Sequence, residues 1–365
     1  MALFGKPHAF VGLDIGSSSL KVVELIDRNK RVEVATYASA EMGNKLIDPE
    51  ADAAVVKETA DVITQLLEHG DVAADTAVVA LPNSIVFSTV LKLPDVEDEQ
   101  MAKAVQAAAR DVVPANLNEL TLSWSRLGAQ PHSEGEPQAA EDATSATHNA
   151  QNIVPVFVTA APKLIVERYQ AVVKAADLEL LALEVETAPL TRSLLGGPKD
   201  SALIVDIGDA VTTFHIIDQG TPRVTHSVDD GGLAISQEIA GALSISAAEA
   251  EQFKKQHGLE ASAPAGMPAA AQAATKRLTD EASQVVSLYA DQEGRQIKKT
   301  LLIGGGALLK GLAEFWSNEV GHQATVGNPW KGLAYPQELE ARVKELGPSY
   351  AVAIGLAQRG IQASS

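Results

Sequence analysis

No cysteine occurs in the 365 residues, which excludes a disulfide framework and thiolate chemistry and suits a reducing compartment. Aromatic residues make up only 4%, so a core must be built mainly from Ala, Val, Leu and Ile. Positive charge is scarce: 29 Lys and Arg against 47 Asp and Glu leave a net charge of −18. Such a chain is a poor match for nucleic acid or for an anionic lipid surface. No apolar run approaches the roughly 18 residues of a membrane span, and the opening MALFGKPHAF reads as too short for a signal peptide. The eight histidines form no HExxH or paired metal spacing; His215, on a strand, reads as a packed residue. Against these shortages stand 46% hydrophobic residues, enough for a sizeable core over a length suited to about two to four compact units.

The stretch that organises the chain is Val11–Leu25, VGLDIGSSSLKVVEL. Val11–Ile15 is apolar and β-branched enough for a buried strand, and Leu20–Leu25 returns as a second. Asp14 sits at the lip of the turn between them. Gly16 lets backbone approach a ligand with no Cβ in the way, Ser17, Ser18 and Ser19 offer N–H and hydroxyl donors to an anion, and Lys21 adds a mobile positive charge. A carboxylate beside such a turn can meet a hydrated magnesium, which prefers oxygen ligands and keeps several waters. The stretch reads as a phosphate-binding hairpin or as an ordinary polar turn. A second copy weighs for the former: Leu203–Ile217, LIVDIGDAVTTFHII, repeats the plan with Asp206 and Gly208, and internal repetition points to duplicated architecture. A third motif, LLIGGGALLKGL, places Gly304, Gly305 and Gly306 between a strand and an expected helix from Ala307, where glycines let backbone pack flat against a base or sugar. It lacks the Lys-Ser/Thr of a P-loop, and Leu309 stands where GxGxxG needs glycine.

The remaining chain alternates strands with helices, an α/β pattern. Strands are expected over Arg31–Ala40, Thr76–Leu81, Ile85–Leu93, Glu119–Leu127, Ile153–Ala160, Leu178–Glu186, Arg223–Val228 and Thr300–Ile303. Helices are expected over Pro49–His69, from an Asp95 cap to about Val112, and over Pro162–Ala176, Glu186–Leu195, Thr275–Gln292 and Tyr350–Arg359. Gly128–Gln151 has four acids and no Lys or Arg and reads as a disordered loop; Glu260–Ala274 reads as an Ala/Pro-rich loop. Arg277 reads as a lone solvated charge, and Glu184 with Glu186 as structural residues at a strand end.

Three motifs in this order resemble the actin/Hsp70/FtsA ATPase superfamily, and within it the type IV pilus assembly protein PilM family. The closer likeness rests on VGLDIGSSSLKVVEL, LKLPDVEDEQMAKAVQAAARDVVP, DDGGLAISQEIAGALSISAAEAEQFKK and SYAVAIGLAQRG. The resemblance implies an actin-like α/β ATPase fold of two duplicated lobes closing over ATP and magnesium, the ion meeting Asp14 and Asp206 through water. Asp14, Gly16, Ser17, Ser18, Ser19 and Lys21 look like the first phosphate loop; Asp206, Gly208 and Thr212 look like the second. Gly231 and Gly232 fall where the family touches phosphate or ribose, Glu251 and Lys254 resemble its ribose and adenine grip, and Gly304–Gly306 its adenosine loop.

Residues 1–84, completed by about 182–199 and 345–365, would form the first lobe. Residues 85–181 would be an inserted subdomain, 200–228 with 299–344 the second lobe, and 229–298 its smaller subdomain. The implied role is a scaffold of the pilus inner-membrane platform. It would be held at the membrane by the N-terminal cytoplasmic tail of a single-pass PilN-like protein, in a groove bounded by the first lobe and the insert, with the Ala104, Ala107 and Ala108 stripe beside it. An ATP-dependent enzyme of the same fold and an FtsA-like filament are the rivals; the end Ile361–Ser365 reads as too short for an amphipathic anchor. Asp209 departs from the small neutral residue usual at its place and puts efficient hydrolysis in doubt more than binding.

Overall fold

The computed structural model describes residues 8–16, 18–43, 45–127, 152–197, 200–260 and 266–364. These fall into two compact units, residues 1–85 with 167–365, and residues 86–166. The expected loops at Gly128–Gln151 and, in part, Glu260–Ala274 lie outside the described residues.

The larger unit is built on two five-stranded sheets with one plan. In the first, β1 (Ala9–Ile15), β2 (Ser19–Arg28) and β3 (Arg31–Glu41) form an antiparallel meander. β4 (Thr76–Leu81) and β8 (Glu179–Val185) then add in parallel, in the order β3-β2-β1-β4-β8. The second sheet repeats it with β9 (Ala202–Ile207), β10 (Thr212–Asp218), β11 (Thr221–Val228), β12 (Lys299–Ile303) and β13 (Gln323–Val326), in the order β11-β10-β9-β12-β13. The duplication read from the two DIG motifs is therefore a duplication of whole sheets, and the chain has the actin-like α/β fold.

One core joins the sheets. Val78 and Ala80 of β4, Ile204 of β9, Ile217 of β10 and Ile303 of β12 pack with Leu190 of α4 (Thr187–Leu194) and with Ala351, Val352 and Leu356 of α10 (Ala351–Ala363). α10 runs flush against β1: a Cβ on Gly12 would lie 1.9 Å from the Ala353 carbonyl oxygen, so any larger residue there forces helix and strand apart.

α1 (Ala53–His69) starts four residues later than the periodicity suggests, because Asp52 caps it by accepting from the Ala54 and Val55 amides. α3 (Lys163–Ala175) carries Arg168, whose buried guanidinium donates to the carbonyls of Leu46, Asp48, Pro49 and Ala51 and pins that loop. Two other expectations change. α7 (Met267–Glu293) begins well before Thr275, because Gly266 turns the chain at φ 89°, Pro268 suits the first turn, and Met267, Ala271 and Ala274 bury themselves. The glycine motif enters a 3₁₀ turn, Gly305–Leu308, and α8 starts only at Leu312, after Gly311 at φ 79°. No long helix therefore points its N-terminus from Ala307.

In the smaller unit, β5 (Phe87–Pro94), β7 (Ile153–Pro162) and β6 (Leu120–Arg126) form an antiparallel sheet, with β7 central. α2 (Asp98–Val112) covers one face through Met101, Val105 and Ala109. Its N-cap is Glu97 rather than Asp95, which pairs with Arg126 at 3.5 Å instead. Of the alanine stripe, Ala104 and Ala108 pack into the unit's own core and Ala107 is exposed.

Candidate nucleotide site

A cleft of about 1040 Å³ opens in the larger unit where parallel strands of both sheets end. Its wall takes the residues at or just after the carboxyl ends of β1 (Asp14, Gly16), β4 (Pro82, Asn83), β8 (Glu186), β9 (Asp206, Gly208) and β12 (Ile303, Gly304). Strand ends are where α/β sheets gather ligands, since the loops diverge there and leave backbone groups unpaired.

The two loops share one backbone closure. Gly16 N donates to Ser19 O at 3.0 Å, and Gly208 N to Val211 O at 3.0 Å. The strand registers match as well: Asp14 lies opposite Lys21, and Asp206 opposite Thr213. Thr213, lining the cleft, is thus the counterpart of Lys21. Thr212 is the counterpart of Leu20, fully buried and absent from the cleft wall. The expected role of Thr212 passes to its neighbour because successive strand residues face opposite ways.

Asp14, Gly16, Ser18, Ser19, Lys21, Gly208, Gly232, Glu251, Lys254 and Gly304–Gly306 line the cleft as the motifs suggested; Ser17 lies outside the described residues. Gly231 does not line it. It packs beneath the second loop, where a Cβ would sit 2.6 Å from Asp209 O, while Gly232 N donates to Gly208 O at 2.9 Å. Gly304, at φ 80°, could carry no side chain, because its Cβ would meet Asp206 Oδ1 at 2.4 Å. Lys254 Nζ bridges Glu251 Oε2 at 2.6 Å and the Gly232 carbonyl at 2.8 Å. Burial pushes the Glu251 carboxyl up, but hydrogen bonds from Lys254 and Ser236 hold it below its ordinary value.

Acids dominate the floor. Burial raises Asp14, with Lys21 at 3.7 Å offsetting part of it. Burial and the charge of Asp14 push Asp206 up to about 6. Glu186, expected to be structural, stands in the cleft, and burial with the charges of Asp206 and Asp14 pushes it up to about 8, despite two hydrogen bonds from Asn83. Only Glu184 is structural, clamped by Arg192 at 3.0 Å and by Arg359 at 3.4 Å. The sequence signal for Glu186 and Asn83 was their place immediately after parallel strands. Arg277 is not solvated alone: it pairs with Asp230 at 2.9 Å and Glu238 at 3.0 Å.

Known proteins share this fold. The chain is similar to one in a solved PilM-PilN type IV pilus biogenesis complex, with a TM-score of 0.79 and 25% identity over 96% of this chain and 98% of that one. It is 23% identical to the cell division protein FtsA of Streptococcus pneumoniae serotype 2 (strain D39) over 341 residues, 84% of this chain and 72% of that protein. Its fold is also that of MreB5 of Spiroplasma citri, solved bound to ADP, with a TM-score of 0.52 and 13% identity over 98% of this chain and 97% of that one. A family model, Type IV pilus assembly protein PilM, matches residues 12–361, and the chain belongs to that family.

Proposed function

We propose that this chain is a nucleotide-binding scaffold of pilus assembly, one that takes Mg-ATP between its two loops and binds the N-terminal cytoplasmic tail of a PilN-like single-pass membrane protein. One observation carries the nucleotide half: two turns with the same closure line one cleft beside Gly304–Gly306, where Gly304 and Gly306 have no room for a Cβ and Gly305 is open. Backbone donors and open glycine surfaces suit phosphates and a flat base. Asp14, Gly16, Ser17, Ser18, Ser19 and Lys21 would hold phosphate from one side, and Asp206, Gly208 and Thr213 from the other. Gly232, Glu251 and Lys254 would take the ribose, and Gly304–Gly306 the adenosine.

Magnesium fits this floor. Asp14 and Asp206 are raised by burial and share Lys21 as their cation, so a divalent ion would relieve both. Among the described residues no three acids or histidines are placed to hold a metal directly, which suits an ion that keeps its waters and meets Asp14 and Asp206 through them. Bound there, magnesium would neutralise phosphate charge. Without a bound ion, burial and the charges of Asp206 and Asp14 hold Glu186 up at about 8; magnesium on those two acids would lower it again.

The partner half rests on family membership and on the likeness to the PilM chain of a complex with PilN. Among the described residues no helix is long and apolar enough to cross a membrane, so a hold on the inner membrane would run through such a partner. Calorimetry tests the first half: Mg-ATP should bind, and no heat would end the nucleotide reading. Fluorescence anisotropy with a labelled PilN-like tail peptide, with and without Mg-ATP, tests the second. Absence of binding in both states, with intact circular dichroism, would overturn the scaffold and favour an ATP-dependent enzyme on the same fold.

A further inference from the structure

Behind the cleft a short polar chain crosses from one sheet to the other. Glu186 Oε2 accepts from the Asn83 backbone amide at 3.0 Å and from its Nδ2 at 2.8 Å. That orients the Asn83 amide, whose Oδ1 accepts from Thr187 Oγ1 at 3.1 Å. A hydroxyl has one proton to give, and it is used there. His215 Nδ1, 3.1 Å from the same hydroxyl oxygen, must therefore be the donor in that contact. Burial pushes His215 down to about 3, so the ring is neutral, with its proton on Nδ1 and none on Nε2. Nε2 is buried with no partner, and an orphan acceptor lone pair is what this tautomer leaves. Thr225 Oγ1, 3.4 Å from Thr187, adds a second contact. Asn83 and Thr187 follow strands of the first sheet; His215 and Thr225 lie on β10 and β11 of the second.

We propose that Asn83, Thr187 and His215 are positioning residues: a latch between the two sheets that aims the Glu186 carboxyl group into the cleft. The inference rests on the nucleotide reading for what Glu186 faces, but the latch itself does not require a bound ligand. Separating the sheets stretches Thr187 from His215, and Thr187 then has no fixed orientation toward Asn83. The side-chain amide loosens, and Glu186 loses its Nδ2 donor. A ligand that draws both loops inward tightens the same chain, so nucleotide and sheet separation are linked and the linkage is reciprocal.

The test uses the full chain and ¹⁵N spectra of the histidine rings. The wild type should show His215 as the Nδ1–H tautomer. In Asn83→Ala the Thr187 proton loses Asn83 Oδ1 and is left with Thr225 Oγ1, 3.4 Å away. His215 should therefore keep Nδ1–H, because Nε2 has no partner for a proton, while its Nδ1 resonance shifts with the altered hydrogen bond. Because the chain has no cysteine, spin labels can be placed at exposed Gln65→Cys on α1 and Gln284→Cys on α7. Thr187→Val should broaden the distance distribution between them without nucleotide, and Thr187→Ser should restore it. Mg-ATP affinity should fall roughly tenfold in Asn83→Ala, as expected where a buried network loses a member. An Nε2–H tautomer in the wild type, or a His215 Nδ1 resonance unmoved in Asn83→Ala, would overturn the latch. If the His215 resonance in Asn83→Ala and the label distances in Thr187→Val respond as expected but the wild type binds no Mg-ATP, the latch is supported and the nucleotide reading overturned.

Discussion

The two loops are one backbone with two chemistries. Each closes through a glycine amide donating three residues on, and each sets an aspartate opposite the residue that follows by seven. In the first loop that residue is Lys21, 3.7 Å from Asp14; in the second it is Thr213, whose hydroxyl lies 3.1 Å from Ser227. In sequence, Ser17 corresponds to Asp209. The first loop thus balances its acid with a cation, and the second holds two acids and no cation. The duplication supplied geometry twice but a cation only once; on the proposed nucleotide reading the first loop would meet phosphate with its own charge, and the second would borrow it from a metal.

Glycine gives the largest way to break the arrangement. Gly304→Val would put carbon into Asp206 and the Ile207 carbonyl at a positive φ, and should cost about 3 kcal/mol in denaturant unfolding along with nucleotide binding. Gly16→Ala, whose Cβ would stand 3.1 Å from Ser19 O, should cost about 1 kcal/mol or less. Equal losses would show that the two glycines are equally crowded.

The strands behind the loops differ in titration. His215 of β10 occupies the register place of Val23 in β2, and both are fully buried. The folded value of about 3 lies below the roughly 6.5 of an unfolded histidine. Unfolding therefore takes up a proton between those values, and stability is unaffected above pH 6.5 and falls as pH drops toward 3. At pH 5 the loss should be about 2 kcal/mol. Unfolding of wild type and His215→Val at pH 7 and pH 5 isolates it: the variant should be spared that increment, and an equal pH dependence would show that His215 does not titrate on unfolding.

Asp14→Ala comes next. It removes the balanced acid of the first loop and should weaken Mg-ATP at least tenfold, about 1.4 kcal/mol, with little change in metal-free binding. Calorimetry with magnesium and with a chelator separates the two; equal losses in both would mean that Asp14 acts on the loop rather than on the ion.

Strands and loops were legible because β-branched runs flanking DIG have few other uses, and the repeat fixed their partnership. Three things were not. The α7 start was hidden by Pro268 and the alanines, which read as loop composition although alanine is the strongest helix former. Thr212 was preferred to Thr213 because motif likeness gives a neighbourhood, whereas the face of a strand depends on pairing, here Thr213 with Asp206. Glu186 was missed because its character comes from burial beside Asp206 and Asp14, residues far away in sequence that converge only when parallel strands end together.

The smallest effect sharpens the comparison most. Asp209 lines the cleft, yet it is exposed, so its charge acts on phosphate through solvent and is screened by salt. Asp209→Ser gives the second loop the residue type of position 17. If the carboxylate only repels phosphate, metal-free ATP should bind about twofold tighter in the variant, as expected for an exposed charge, and the gain should shrink at high salt. Mg-ATP should change less, because the ion already cancels part of the repulsion. Calorimetry at two salt concentrations, with magnesium and with a chelator, reads all four states. A roughly tenfold fall in Mg-ATP affinity instead would mean that Asp209 helps to orient the waters of the ion. The second loop would then be the metal loop and the first the phosphate loop, a division of labour that the shared backbone conceals.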